Sequence, residues 1–179
     1  DGGTAPNGLS NVQTIYSTER AFAALKTDGS VVAWGQSGSD GTTGDHGGDA
    51  SSVQSQLTGV QTIYSNYHAF AALKTDGTVV AWGNSTNGGD ASSVQSQLTG
   101  VQTIYSTIHS LVALKTDGTV VAWGSSGGGG DASSVQSQLT GVHTICSNSY
   151  AFAALKTDGS VVAWGCLLYT SDAADDGLS

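Results

Sequence analysis

Apolar and polar positions alternate along this chain in short bursts. "VQTIYS" at 12–17 is β-branched and aromatic. "AFAALK" at 21–26 sets Ala21, Ala23 and Leu25 on one face and Phe22, Ala24 and Lys26 on the other, and "VVAWG" at 31–35 is short and apolar. Bursts of five or six residues with period two, bounded by Gly, Ser, Thr and Asp, predict strands. No stretch of ten or more residues carries a helical apolar period, and glycine interrupts throughout. "LKTDGTV" at 73–79 predicts a hairpin, because Asp-Gly supplies the positive φ that a tight turn or a glycine bulge requires. The polar "SSVQS" at 51–55 predicts a weak fourth strand at an outer edge, where short polar strands discourage pairing with other molecules.

The pattern recurs. "GGDASSVQSQLTGVQTIYS" occupies 47–65 and, unchanged, 88–106; at 129–147 it returns with His143 and Cys146 as its two changes. The tryptophans are Trp34, Trp82, Trp123 and Trp164, spaced by 48, 41 and 41 residues. The longer first interval is one loop, "QSGSDGTTGDHGGD" at 36–49, against "NSTNGGD" at 84–90 and "SSGGGGD" at 125–131. Four short strands in about 40–45 residues is the period of a β-propeller blade. The expected fold is therefore all-β: a partial β-propeller of about four blades built from 41–48-residue repeats, an open arc rather than a closed ring. It covers 1–165, with repeats starting near 9, 57, 98 and 139. Small alanines on both faces of "AFAAL" suit close packing between blades. One Trp per repeat, able to bury about 200 Å², predicts a repeated inter-blade contact.

Differences among otherwise matching repeats point to a candidate surface. Aligned on "TI(Y/C)S", the repeats vary at four tripeptides: Thr18, Glu19 and Arg20; Asn66, Tyr67 and His68; Thr107, Ile108 and His109; Asn148, Ser149 and Tyr150. The loop after each "WG" also varies, whereas "KTDG" and "LTG" scarcely change. Antiparallel connection puts both variable segments at one end of the strands and both constant turns at the other. Variation gathered on one rim of a rigid scaffold is what a binding surface needs. Tyr67 and Tyr150 are the candidate anchors, since tyrosine brings large contact area at small entropic cost. His68 and His109 are expected to orient the loop, and Arg20, the single arginine, to pair locally with Glu19 or another carboxylate.

At "HAFAALKTDGTVVAWG" (68–83) and "HSLVALKTDGTVVAWG" (109–124), followed by "VQSQLTGVQTI" (94–104), the chain resembles the regulator-of-chromosome-condensation repeat family. The resemblance covers nearly all of 9–165 and implies blades of a seven-bladed propeller, with further repeats of the same chain completing the ring. His68 and His109 match a family position. The family's usual Gly-Gln-Leu-Gly after "WG" is replaced here by "GGDASS". The period is nearer that of shortened bacterial members, such as a secreted propeller that inhibits β-lactamases, than that of the eukaryotic nucleotide-exchange factor.

Composition and charge narrow the function classes. The 179 residues carry a net charge of −9, with four Lys and one Arg. That balance argues against nucleic acid and anionic membrane surfaces as partners, both of which need clustered cations. No apolar run approaches the roughly 18 residues of a membrane helix, so membrane insertion is not expected. Cys146 stands where the other repeats have Tyr and is expected to be a small buried hydrophobe. The two cysteines make no disulfide framework and no metal spacing. Asp40, Asp45 and Asp49 mildly resemble a calcium loop, but the alternating ligands and closing Glu of an EF-hand are missing. No metal, cofactor or catalytic residue is expected. Repetition of Lys and Asp in every "KTDG" is turn chemistry, not catalysis. The function expected is a non-catalytic repeat module that binds a protein partner through the variable loops of one face. The alternatives are an extracellular structural or adhesion array and, more weakly, guanine-nucleotide exchange on a small GTPase.

The tail "CLLYTSDAADDGLS" at 166–179 breaks the repeat. One set of codons for it resembles a transposase sequencing adapter, so the tail is expected to be non-native and disordered. The chain is accordingly expected to be a fragment of an array, and its uncapped ends to make it poorly soluble or associating.

Overall fold

The computed structural model describes residues 3–38 and 44–166. The expected non-native tail, Cys166 apart, lies outside the described residues, as does Asp40 of the acidic loop. Twelve strands form four antiparallel three-stranded sheets. The first holds β1 (Val12–Ser17), β2 (Ala21–Lys26) and β3 (Val31–Gly35); the second β4 (Val60–Ser65), β5 (Ala69–Lys74) and β6 (Val79–Gly83). The third holds β7 (Val101–Ser106), β8 (Ser110–Lys115) and β9 (Val120–Gly124); the fourth β10 (Val142–Ser147), β11 (Ala151–Lys156) and β12 (Val161–Gly165). In each sheet "AFAALK" or its equivalent is the central strand, and its aromatic or leucine pairs with the tryptophan: Phe22 with Trp34, Phe70 with Trp82, Leu111 with Trp123, Phe152 with Trp164.

The "VQTIYS" strands of neighbouring sheets lie side by side. Tyr16 Oη is 3.2 Å from Thr62 Oγ1, Tyr64 Oη 3.2 Å from Thr103 Oγ1 and Tyr105 Oη 3.3 Å from Thr144 Oγ1. Ser65 Oγ donates to Ser17 O at 2.8 Å, and Ser106 Oγ to Ser65 O at 3.0 Å. These strands are therefore the inner edges of four successive blades, and "VVAWG" forms the outer edges.

The core lies between the sheets. Residues of β2 and β3 facing forward (Ala21, Ala23, Leu25, Val31) pack against residues of the next sheet facing back (Val60, Ile63, Phe70, Trp82), and the same seam repeats twice more. Each fully buried Phe or Leu contributes about 1.5–3 kcal/mol by area, an upper bound. Each tryptophan of sheets two to four also donates to the linker that precedes its sheet: Trp82 Nε1 to Gly47 O at 3.0 Å, Trp123 to Gly88 O at 2.9 Å, Trp164 to Gly129 O at 3.0 Å.

The linkers correct one expectation. "SSVQS" is not a fourth strand; it is a turn running into a 3₁₀ turn at Gln54–Gln56, repeated at Gln95–Gln97 and Gln136–Gln138. The cause is competition for burial. Leu57, Leu98 and Leu139 are completely buried in the seams, beside Ala50, Ala91 and Ala132. A segment lying straight along β3 would not deliver both. Instead Asp49 Oδ1 accepts from Ser51 N at 2.8 Å and curls the chain. The side chain of Gln54 then caps the sheet edge, Nε2 donating to Val31 O at 3.1 Å, with Gln95 and Gln136 doing the same for Val79 and Val120. The preceding Gly-Gly pair explains why the linker does not vary there. A Cβ on Gly89 would sit 2.3 Å from the carbonyl carbon of Gly83, and one on Gly88 2.9 Å from Leu111 Cδ1 at a φ of +100°.

Cys146 is a second correction. It is exposed, not buried. Its position faces forward, where Tyr16, Tyr64 and Tyr105 reach the next sheet, and no described sheet lies in front of the fourth.

Candidate functional site

At one end of the strands the constant turns interlock. Val60 N donates to Gly29 O, Val101 N to Gly77 O and Val142 N to Gly118 O, each at 2.9 Å. Thr75 N and Thr116 N donate to Gly59 O and Gly100 O at 2.9 Å. These turns are constant because each is packed against its neighbour.

The variable segments meet at the opposite end. The first residue of each tripeptide builds the turn: Asn66 Oδ1 accepts from His68 N and Ala69 N, both at 2.8 Å. Asn148 Oδ1 does the same for Tyr150 N and Ala151 N at 2.9 and 2.8 Å, and Thr18 Oγ1 accepts from Ala21 N at 3.1 Å. Thr107 Oγ1 lies 3.4 Å from His109 N. Short polar side chains form such turns because their oxygen replaces a backbone acceptor. The donors of the same residues fasten the loop after "WG": Thr18 Oγ1 to His46 O at 2.9 Å, Asn66 Nδ2 to Asn87 O at 2.7 Å, Thr107 Oγ1 to Gly128 O at 2.9 Å. Asn66 and Thr107 are buried. Thr18 is partly buried and Asn148 exposed, so the turn-forming position is sunk into the scaffold in the second and third sheets and open to solvent in the fourth.

The second residues join blade to blade. Glu19 N donates to Tyr67 O at 3.2 Å, Tyr67 N to Ile108 O at 3.4 Å and Ile108 N to Ser149 O at 3.1 Å. The rim is thus one hydrogen-bonded row. Tyr67 is exposed, and the hydroxyl it offers toward the Glu19 carboxylate holds Glu19 below its ordinary pKa and raises that of Tyr67. Arg20 Nε lies 3.2 Å from Glu19 Oε2, so of the carboxylates open to it from the sequence it takes its neighbour.

Three of the four third residues carry rings, Arg20 being the exception. His68 and His109 stack with centroids 5.5 Å apart and planes 13° from parallel, and His109 lies 5.9 Å from Tyr150. Tyr67 stands edge-on to His68 at 4.9 Å. The row is extended by His46, 4.8 Å from His68, with Nδ1 3.2 Å from Tyr67 O. His46 belongs to the long first loop and was not singled out from the sequence. The available signal was its position directly before Gly-Gly, where Asn87 and Gly128 offer the equivalent carbonyl. Burial, and then the neighbouring His46 and His109, push the His68 imidazole below its ordinary value, so the stack is held with His68 neutral at neutral pH. His109 Nδ1 is buried without a hydrogen-bond partner.

Tyr150 and Tyr67 are about half exposed at 47% and 44%, and Ser149 and Glu19 are exposed beside them. The rim offers flat aromatic faces, hydroxyls and one carboxylate–guanidinium pair on a rigid support. Among the described residues no group of three or more His, Cys, Asp or Glu is arranged to hold a metal ion.

No family model and no curated protein matches the chain significantly. Solved structures match in fold. Prp20p from Saccharomyces cerevisiae superposes with a TM-score of 0.54 at 18% identity, covering 86% of this chain and 43% of that one. Yeast RCC1 (Prp20) in its complex with Kap60 gives 0.56 at 19% identity, covering 86% and 42%. The CRINKLY WD40 ectodomain of the Arabidopsis thaliana receptor kinase ACR4 gives 0.54 at 14% identity, covering 89% and 56%. The chain spans about half the length of these structures. Its four sheets, stacked with inner strands adjacent, are those of a partial four-bladed β-propeller similar in fold to RCC1.

Proposed function

We propose that this chain is a repeat module that binds a protein partner through the variable rim, with Tyr67 and Tyr150 as anchors, the partly buried His68 and His109 rings as the platform between them and the buried His46 ring supporting His68 from within. The observation that carries this reading is the separation of duties within each tripeptide. Its first residue is committed to the turn, while the second and third present rings and polar groups outward. Exposed aromatic side chains on a pre-organised support are the usual centres of protein recognition. The fold neighbours support it by analogy: Prp20p is described with binding properties toward Gsp1p and histones, and is seen bound to Kap60. The acidic charge favours a partner with a neutral or basic face.

The test is affinity capture followed by titration of the captured protein. Tyr67→Ala and Tyr150→Ala should each weaken binding at least about tenfold, the equivalent of 1.4 kcal/mol. Lys74→Ala and Lys115→Ala, at the opposite end of the strands, should leave binding unchanged. Equal loss from both rims would favour a spacer role, and unchanged binding in both tyrosine variants would overturn the proposal.

A further inference from the structure

The outer strands β6 and β9 each have an open side. Lys74 N donates to Thr78 O at 2.9 Å and Asn84 N to His68 O at 3.1 Å. The antiparallel ladder alternates between these two bonds. Val80 and Trp82 therefore bond to Ala72 and Phe70 of β5, while Val79, Ala81 and Gly83 turn their N–H and C=O groups outward. In β9 the bonds from Lys115 N to Thr119 O at 2.9 Å and from Ser125 N to His109 O at 3.0 Å fix the same alternation, and Val120, Ala122 and Gly124 turn outward. Gln95 Nε2 takes Val79 O and Gln136 Nε2 takes Val120 O, both at 3.0 Å. The N–H and C=O of Ala81 and Ala122 have no partner among the described residues. Each alanine lies in a groove, because the linker that curls into a 3₁₀ turn leaves the place of a fourth strand unfilled. The groove on β6 measures about 510 Å³ and that on β9 about 720 Å³. The linker before the sheet forms one wall and the linker after it the other. Asp45 and Asp49 face Asp90 across the first groove, and Asp90 faces Asp131 across the second. Among the described residues no Lys, Arg or His lines either groove.

We propose that an extended segment of a partner protein, carrying Lys or Arg, adds to β6 and to β9 as a fourth strand. Both grooves lie on the outer perimeter of the blades, so the proposal is independent of the rim reading. A free strand edge is a template for pairing with another chain. Each groove offers both bonds of one antiparallel pair: the alanine N–H donates to the added strand and the alanine C=O accepts from the same residue of it. Charge selects the occupant. A second copy would bring its own carboxylates and a net charge of −9 to the same walls, and like charges oppose that contact. A cationic segment is attracted instead. Successive side chains of a strand point to opposite sides, and each wall holds a carboxylate, so a Lys or Arg meets one whichever way it points.

The probe is the acetylated, amidated peptide Lys-Val-Lys-Val-Lys, titrated into the isotope-labelled 179-residue chain and followed by amide resonances. The Ala81 and Ala122 amide protons should move downfield as they gain an acceptor, and binding should weaken as salt is raised. The triple variant Asp49→Asn, Asp90→Asn and Asp131→Asn keeps the linker turns, since Asn forms the same turn, and should bind at least about threefold more weakly. The same peptide N-methylated at every residue keeps its charge but cannot pair with a strand, and should leave both amides in place. Glu-Val-Glu-Val-Glu should not bind, and Tyr67→Ala should leave the titration unchanged. Equal binding of the acidic or the N-methylated peptide, undiminished binding by the triple variant, or Ala81 and Ala122 amides that do not move would each overturn the proposal. Loss of binding in Tyr67→Ala would put the peptide on the rim, and shifts that grow with protein concentration alone would give the edge to a second copy; either result also overturns it. Far-UV circular dichroism checks the fold of the triple variant, and the N-methylated peptide tests the wild-type chain without any substitution.

Discussion

Asn66 does with one side chain what a turn, a cap and a strap would otherwise do separately. Its oxygen satisfies two backbone N–H groups and its amide ties the neighbouring loop, so the rings beside it need no side-chain scaffold of their own. The aspartates of the opposite turns act similarly. Asp76 Oδ1 accepts from Thr78 N at 2.9 Å and from its hydroxyl at 2.6 Å, and Asp28, Asp117 and Asp158 repeat this. Hydrogen bonds from the hydroxyl, then from the backbone, hold each carboxyl below its ordinary 3.8. The unfolded chain therefore binds more protons in this range, and stability rises with pH across it. The contribution is complete above 3.8 and disappears as pH falls through the lower folded values. The urea midpoint should accordingly be flat well above that pH and drop below it. Replacing all four aspartates with Asn should reduce this pH dependence while keeping the turn, since Asn-Gly also forms it, and the remainder should come from Asp49, Asp90 and Asp131, which backbone and hydroxyl hydrogen bonds of Ser51, Ser92 and Ser133 likewise hold low.

At the scale of elements, the linker stabilises more than the strand it was expected to be. Leu98 is completely buried between the second and third sheets, whereas Val94 in the same linker is only partly covered. Leu98→Ala should cost about 2–5 kcal/mol in denaturant unfolding, and Val94→Ala less than about half of that. Equal costs would mean that the linker is not an interior element. Strand positions were legible from their period of two because alternation is a local property of the chain. The linker was not, because "SSVQS" has enough β-branched and polar character for an edge strand; its curl is set by the burial of Leu57 against a sheet that forms elsewhere in the sequence.

Among the described residues the hydrophobic seams join each sheet to its sequence neighbours, so stability is that of a one-dimensional array. Among the described residues the second and third sheets are covered on both faces, the first and fourth on one. Amide exchange at low protein concentration should be slowest in β5 and β8 and faster in β2 and β11. Uniform protection across all four sheets would contradict this. By itself the sequence determined the repeat period, the strands, the tryptophan contact and the rim on which variation gathers, because all of these follow from residue spacing within one repeat. Tertiary structure alone decided three things: that Asn66 and Thr107 turn inward, that His46 completes the ring stack, and that Cys146 is exposed. Each depends on which neighbour stands across a seam some forty residues away along the chain, a distance over which local periodicity carries no information.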